Sequence, residues 1–300
     1  MRFAIYQGER PVGTRKAVQD NLTKLEEMVR TATQYDVQLI SFPELYLAGY
    51  TLTAELVHTL AEPSHGPSIS RVAEIAKTYQ MGIICPYAER EERDGETYYY
   101  DAIALLDTHG ELLHNYRKTH LFGQTERANY SFGYPDGAED PFRVCHVAGF
   151  PVGLLNCYEA EFCELARILA LRGAKLIVIP TAADYDSRLP DGSRTTRPYP
   201  DITRTLLPAH AYENRCFIAY CNRCGSERVG GHTWRYQGNS IVCGLHGDVI
   251  LAARPEETLI IADIVPSAYG PTHPEGHYLK NRRPELYRQL VAMHADFDGG

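Results

Sequence analysis

No run of the sequence approaches the ~20 apolar residues that a membrane-crossing helix needs, so a helical span is excluded. The opening residues, MRFAIYQGER, lack the long apolar core of a secretion signal, and a cytoplasmic location is expected. Positive charge is also scarce: 30 Lys and Arg against 38 Asp and Glu give a formal net charge of −8. Nucleic-acid binding leans on a basic face, and none is visible, which argues against a nucleic-acid partner. Internal repeats and low-complexity tracts are missing. Only 184–201, DYDSRLPDGSRTTRPYPD, has linker-like composition, and it reads as a long excursion within one domain covering 1–300, with a C-terminal tail from about 265. A second cysteine pair is lacking too. Cys221 and Cys224 have the spacing of half a zinc site or a redox pair, but a structural zinc wants four ligands and no matching pair follows. The eight cysteines read as free thiols and no metal is expected.

What is present is hydrophobic content of 44%, enough to bury a large core. Strand-like runs recur: RFAIYQ, VQLISF, MGIICPY, YYYDAIALLD, ELLHNY, FPVGLLN, KLIVIP, CFIAYC, SIVCG, DVILA and TLIIADI. Helix-period segments at 15–34, 67–80, 160–173 and 202–214 lie between several of them. In the first, Val18, Leu22, Leu25, Met28 and Val29 share one face, as a helix packing on a sheet requires. Strands alternating with helices predict an α/β fold, and the hairpin-like pair at 98–107 and 111–116 requires a mixed sheet.

In α/β sheets, reacting groups collect where strands end. Glu44 follows LISFP, Lys118 follows ELLHNYR, and Cys157 follows FPVGLLN. Separately they read as a loop acid, a surface lysine and a core thiol. Their surroundings point elsewhere. Glu44 is flanked by Phe42, Leu45, Tyr46 and Leu47, where burial raises a carboxyl toward the range of a useful base. Cys157 precedes a helix-like segment, whose N-terminus favours thiolate. An acid, a cation and a thiol, if they converge, are the equipment for acyl transfer through a thioester.

The blocks FPELYLAGY (42–50), YRKTHLFGQTER (116–127) and GLLNCYEAEF (153–162) resemble, in order and separation, the three signature blocks of the nitrilase superfamily of carbon–nitrogen hydrolases. The likeness runs from RFAIYQGER to RRPELY at 282–287. It implies a four-layer α-β-β-α sandwich with mixed sheets, and a catalytic set of Glu44, Lys118 and Cys157 with Glu126 as a second glutamate. It implies an oxyanion held by Lys118 and the backbone N–H of Tyr158, no cofactor, and a homodimer. Cys157-Tyr158-Glu159 differs from the Cys-Trp-Glu of true nitrilases, and the following sequence is similar to amidases acting on small amides, such as 5-aminopentanamide, and to stereoselective amidases. A nitrilase, an N-carbamoyl amino acid hydrolase and a non-catalytic binding subunit are the alternatives. Cys163 departs from the family's usual proline, and 184–201 is longer than in compact relatives. Tyr46, Tyr130, Phe132 and Tyr185 are candidate pocket aromatics. Glu159 and Asp184 suggest an acidic wall for an amine-bearing substrate.

Overall fold

Strands covered on both faces need apolar side chains at successive positions, and RFAIYQ and LIVIPT supply them. The computed structural model describes residues 1–134, 140–189, 191–194 and 199–292. Its first half contains β1 (Arg2–Gln7), α1 (Arg15–Thr33), β2 (Leu39–Ser41), α2 (Ala54–Leu60), α3 (Pro67–Tyr79), β3 (Gly82–Arg93), β4 (Glu96–Leu106), β5 (Leu112–Arg117) and α4 (Gly123–Asn129). Its second half contains β6 (Cys145–Val147), β7 (Phe150–Leu154), α5 (Cys163–Leu171), β8 (Leu176–Thr181), β9 (Asp184–Arg188), α6 (Leu206–Asn214) and β10 (Phe217–Asn222). β11 (Ser226–Val229), β12 (His232–Tyr236), β13 (Ile241–Cys243), β14 (Val249–Ala252) and β15 (Thr258–Asp263) follow.

Two six-stranded sheets form, in the orders β15-β1-β2-β3-β4-β5 and β14-β13-β10-β8-β7-β6. Each has three parallel strands at its centre, β1-β2-β3 and β10-β8-β7, and antiparallel partners outside, so both are mixed.

The two-residue side-chain period divides each central strand between two cores. Phe3 and Ile5 meet Leu176, Val178 and Phe217 between the sheets, while Ala4 and Tyr6 face the other way, onto α1 and α3. Ile177 and Ile179 likewise turn from the second sheet onto Leu165, Leu169 and Leu207 of α5 and α6. Three cores separate four layers, the α-β-β-α sandwich. Helix α1 begins where the Thr14 hydroxyl accepts the Ala17 N–H at 3.0 Å, satisfying one of the free donors of its first turn.

Several elements differ from expectation. β3 and β4 form a long hairpin, and the turn between them carries Asp94 at φ 55° and Gly95 at φ 82°. Two positive φ values are what a tight primed turn demands, and Asp-Gly meets that demand. The excursion at 184–201 opens as a strand: β9 pairs with β12, which pairs with β11, in a small third sheet. Residues 190 and 195–198 of that excursion, and 293–300 of the tail, lie outside the described residues. Cys221 and Cys224 are buried free thiols. Among the described residues no helix is long and apolar enough to cross a membrane.

Candidate active site

β2, β3 and β5 run in the same direction, because β4 is antiparallel to both of its neighbours. Glu44 and Lys118 therefore leave the same edge of the first sheet, and Cys157 leaves the end of β7 in the second. Lys118 Nζ stands 2.6 Å from Glu44 Oε1, 2.9 Å from Glu126 and 3.5 Å from Asp101 Oδ2. All four side chains are buried, and Cys157 is 5% exposed. Oxygens of Glu44, Asp101 and Glu126 lie within 4.8 Å of one another, close enough to hold a metal ion, but the Lys118 ammonium already stands among them as the cation.

Burial alone would lower the Lys118 pKa, but Glu126, Glu44 and Asp101 outweigh it and hold the ammonium well above its ordinary value. Burial and the negative charge of Glu44 push the Cys157 thiol well above its ordinary value, against the pull of Lys118. This corrects the expectation of a helix-stabilised thiolate. Cys157 opens a short 3₁₀ turn, Cys157–Glu161, while α5 starts only at Cys163.

Two positions are strained. Leu45, beside Glu44, has φ 46°, and Cys157 has φ 50°. Left-handed backbone at such residues costs about 1–3 kcal/mol each and persists only where the surroundings enforce it. The enforcing contacts are visible. Buried Arg223 donates to the Glu44 carbonyl at 2.7 Å and pairs with Glu227 at 2.5 Å. Glu227 in turn accepts the N–H groups of Tyr50 and Thr51 at 3.1 and 3.0 Å, fixing the far end of the Glu44 loop.

Glu159 belongs to this scaffold and not to an acidic wall. Its carboxylate is fully buried and accepts the Asn156 N–H at 2.7 Å, the Tyr116 hydroxyl at 2.5 Å and the Thr119 N–H at 2.6 Å. Burial raises its pKa, but hydrogen bonds from the His120, Thr119 and Tyr116 side chains outweigh that and hold the group below its usual value. It ties the Cys157 turn to the residue after Lys118. Tyr46 is also displaced from the expected pocket: its ring packs at 4.7 Å from Phe42 and 6.0 Å from Tyr6 in the helix-side core. Phe132 and Tyr185 are exposed, and Tyr185 lies under Arg235.

A cavity of about 510 Å³ opens beside the buried cluster, sharing Glu126 with it and lined also by Tyr158, the residue after Cys157. Tyr130 and Asp184 line it, joined by Tyr50, Phe122, Glu161, Tyr199 and Trp234. Phe122 packs edge-on against Tyr158 and Tyr199 at 5.3 and 5.4 Å, forming an aromatic wall. The Tyr199 hydroxyl donates to Glu161. Tyr50 donates to Glu126 at 2.5 Å, so the cavity lining and the cluster are hydrogen-bonded to each other.

This chain belongs to the carbon–nitrogen hydrolase family, whose model matches residues 2–274. It is a hydrolase of carbon–nitrogen bonds other than peptide bonds, of the amidase-like kind within the nitrilase superfamily. It is 38% identical over 291 residues to the "Hydrolase in pqqF 5'region" of Pseudomonas protegens, which covers 97% of this chain and 92% of that one. It is 29% identical to the N-carbamoylputrescine amidase of Solanum lycopersicum, over 92% of this chain and 91% of the relative. Among solved structures it is similar to an amidase from Nesterenkonia sp. AN1, at 29% identity and a TM-score of 0.72, covering 97% of this chain and 99% of that one. That amidase structure carries acrylamide added to its active-site cysteine.

Proposed function

We propose that the protein hydrolyses small carboxamides to carboxylic acid and ammonia through a thioester on Cys157. The observation that carries this reading is the Lys118 ammonium held at 2.6 and 2.9 Å between Glu44 and Glu126, beside a thiol on a strained strand end. Glu44 takes the Cys157 proton as sulfur attacks the carbonyl carbon. The resulting oxyanion is stabilised by Lys118 and the Tyr158 N–H. Glu44 returns the proton to nitrogen, the C–N bond breaks, and ammonia departs. Water then gives a proton to Glu44 and attacks the thioester; the C–S bond breaks, and the thiol recovers its proton from Glu44. Glu126 holds Lys118 and stands at the cavity wall, where it orients the substrate amide. The acrylamide adduct on the active-site cysteine of the similar Nesterenkonia amidase, seen in a glutamate-to-glutamine mutant of that enzyme, supports a cysteine nucleophile for this chain.

The acidic and aromatic lining favours a substrate with an ammonium at its far end. Glu161 and Asp184 supply negative charge, and Phe122, Tyr158, Tyr199 and Trp234 supply ring faces that attract cations. The N-carbamoylputrescine amidase relative favours a second reading, in which the scissile group is a carbamoyl. Steady-state kinetics on a panel of amides, ω-amino amides, nitriles and N-carbamoyl compounds separates these readings. The account expects amides to be consumed, nitriles to be left, and no carbon dioxide to be released. It expects kcat/KM for an ω-amino amide to exceed that of the neutral amide of equal length by about tenfold, the scale of one charge-assisted contact. Glu161→Gln should remove most of that preference while leaving the neutral amide's rate unchanged. Equal rates for the two amides in the wild type would overturn the ammonium assignment.

A further inference from the structure

We propose that Asp101 is a positioning residue of the hydrolytic centre, a buried carboxylic acid that donates its proton to Glu44 and ties the Glu44–Lys118 pair to the chain just before Cys157. The inference rests on the hydrolytic reading above and adds a residue and a protonation state to it. Asp101 sits on β4 with no exposed surface. Its Oδ1 accepts from Asn156 Nδ2 at 2.9 Å, and Asn156 is the residue before the nucleophile. Its backbone carbonyl accepts the Lys118 N–H at 2.9 Å. One residue thus holds both the nucleophile's strand end and the lysine's.

The proton follows from the count of charges and acceptors. Three buried carboxyl groups surround one ammonium, and Lys118 Nζ lies closest to Glu44 and Glu126 and farthest from Asp101, at 3.5 Å. Full ionisation would leave two uncompensated negative charges on buried groups, and keeping one proton reduces that excess to one. Two buried oxygens of the cluster, Glu44 Oε2 and Asp101 Oδ2, make no hydrogen bond to any other group, and the nearest cation to Asp101 Oδ2 is Lys118 Nζ at 3.5 Å. A proton on Asp101 directed at Glu44 satisfies both at once. The groups facing Asp101 are Glu44 from the end of β2, Lys118 from the end of β5, Glu126 from α4, Asn156 from the end of β7, and the Tyr130 phenol. Burial, then the Glu44 charge, holds Asp101 well above the usual carboxyl range, against the pull of Lys118. With Lys118 bound to Glu44 Oε1 and Asp101 to Oε2, the base is clamped at both oxygens and keeps its remaining lone pairs for the thiol.

The test compares Asp101→Asn, a neutral isostere that can still donate to Glu44, with Asp101→Ala, which cannot. Difference infrared spectroscopy at neutral pH should find a carboxylic-acid carbonyl band in the wild type that is absent from folded Asp101→Asn. In kinetics on whichever panel compound the wild type consumes, Asp101→Asn should keep kcat within about tenfold, and its alkaline limb of kcat/KM should move up by about one pH unit or more. Asp101→Ala should lose about 10²-fold in kcat through misplacement of Glu44 and Asn156. Should the alanine variant fail to fold, the asparagine comparison alone decides. No band lost in the infrared difference, or an asparagine variant with wild-type fold but an unchanged alkaline limb, would overturn the proposal. The infrared result does not depend on turnover, so a wild type that hydrolyses nothing would defeat the functional reading and leave the proton assignment separately decided.

Discussion

Lys118→Met is expected to abolish amide hydrolysis and to lower the folding stability by about 3–5 kcal/mol, the usual consequence of removing one partner of a buried ion cluster. Methionine fills much of the space, so the loss comes from leaving Glu44 and Glu126 without their cation. The pH dependence has a definite sign. A lysine whose pKa is raised by folding stabilises fully below its unfolded value and loses that contribution only as pH rises through the higher folded value. The wild-type contribution should therefore be constant from neutral to mildly alkaline pH. The variant's carboxyls must take up protons, so its stability deficit should shrink as pH falls toward their range. Denaturant titrations of both proteins at several pH values measure this. A variant as stable as the wild type at neutral pH would mean that the carboxyls are not relying on the ammonium.

Glu44→Gln is expected to fold normally and to lose at least about 10³-fold in kcat, at the upper part of the range for removing a general base, because both halves of the reaction use it. The substitution keeps the side chain's shape. It also keeps the Arg223 contact, which is made to the Glu44 backbone carbonyl at 2.7 Å. The defect should be chemical and not positional: KM should change little while kcat falls. A comparable fall with KM raised in proportion would point to a misplaced loop and assign the base elsewhere.

The fold class and the three candidate groups are legible in the sequence, because both rest on local patterns. Apolar runs alternating with amphipathic helical segments specify an α/β fold with a mixed sheet, whereas the two-sheet, four-layer sandwich followed only from the family likeness; Glu44, Lys118 and Cys157 each stand just past a strand-like run. Glu126 came only with the family likeness; nothing about an acid in FGQTER marks it as buried. Asp101 stayed hidden inside YYYDAIALLD, where one acid in a strand gives no sign of which core it enters. Its alternation with Ala102 and Ile103 was the signal available. Of the two acids that the sequence offers for a pocket wall, Asp184 lines the cavity, and Glu161 lines it in place of Glu159. In a 3₁₀ turn of three residues per turn, Glu159 and Glu161 point in different directions, and sequence could not tell which enters the cavity. Tyr46 is a pocket candidate in the sequence for a similar reason: FPELYLAGY is aromatic on both sides of a loop, but the Tyr46 ring turns inward to Phe42 and Tyr6. The Arg223–Glu227 clamp joins residues far from Glu44 in sequence, and only the fold brings it beneath the Glu44 loop.

Intact-protein mass spectrometry after brief exposure to the amide panel, on wild type and Cys157→Ala, tests the central claim most directly. The account predicts a mass increase equal to the acyl group on the wild type alone, mapped to the peptide containing Cys157, with ammonia released in step and both signals gone from the variant. Ammonia release by Cys157→Ala at the wild-type rate, with no adduct on either protein, would contradict it and remove the thioester from the mechanism.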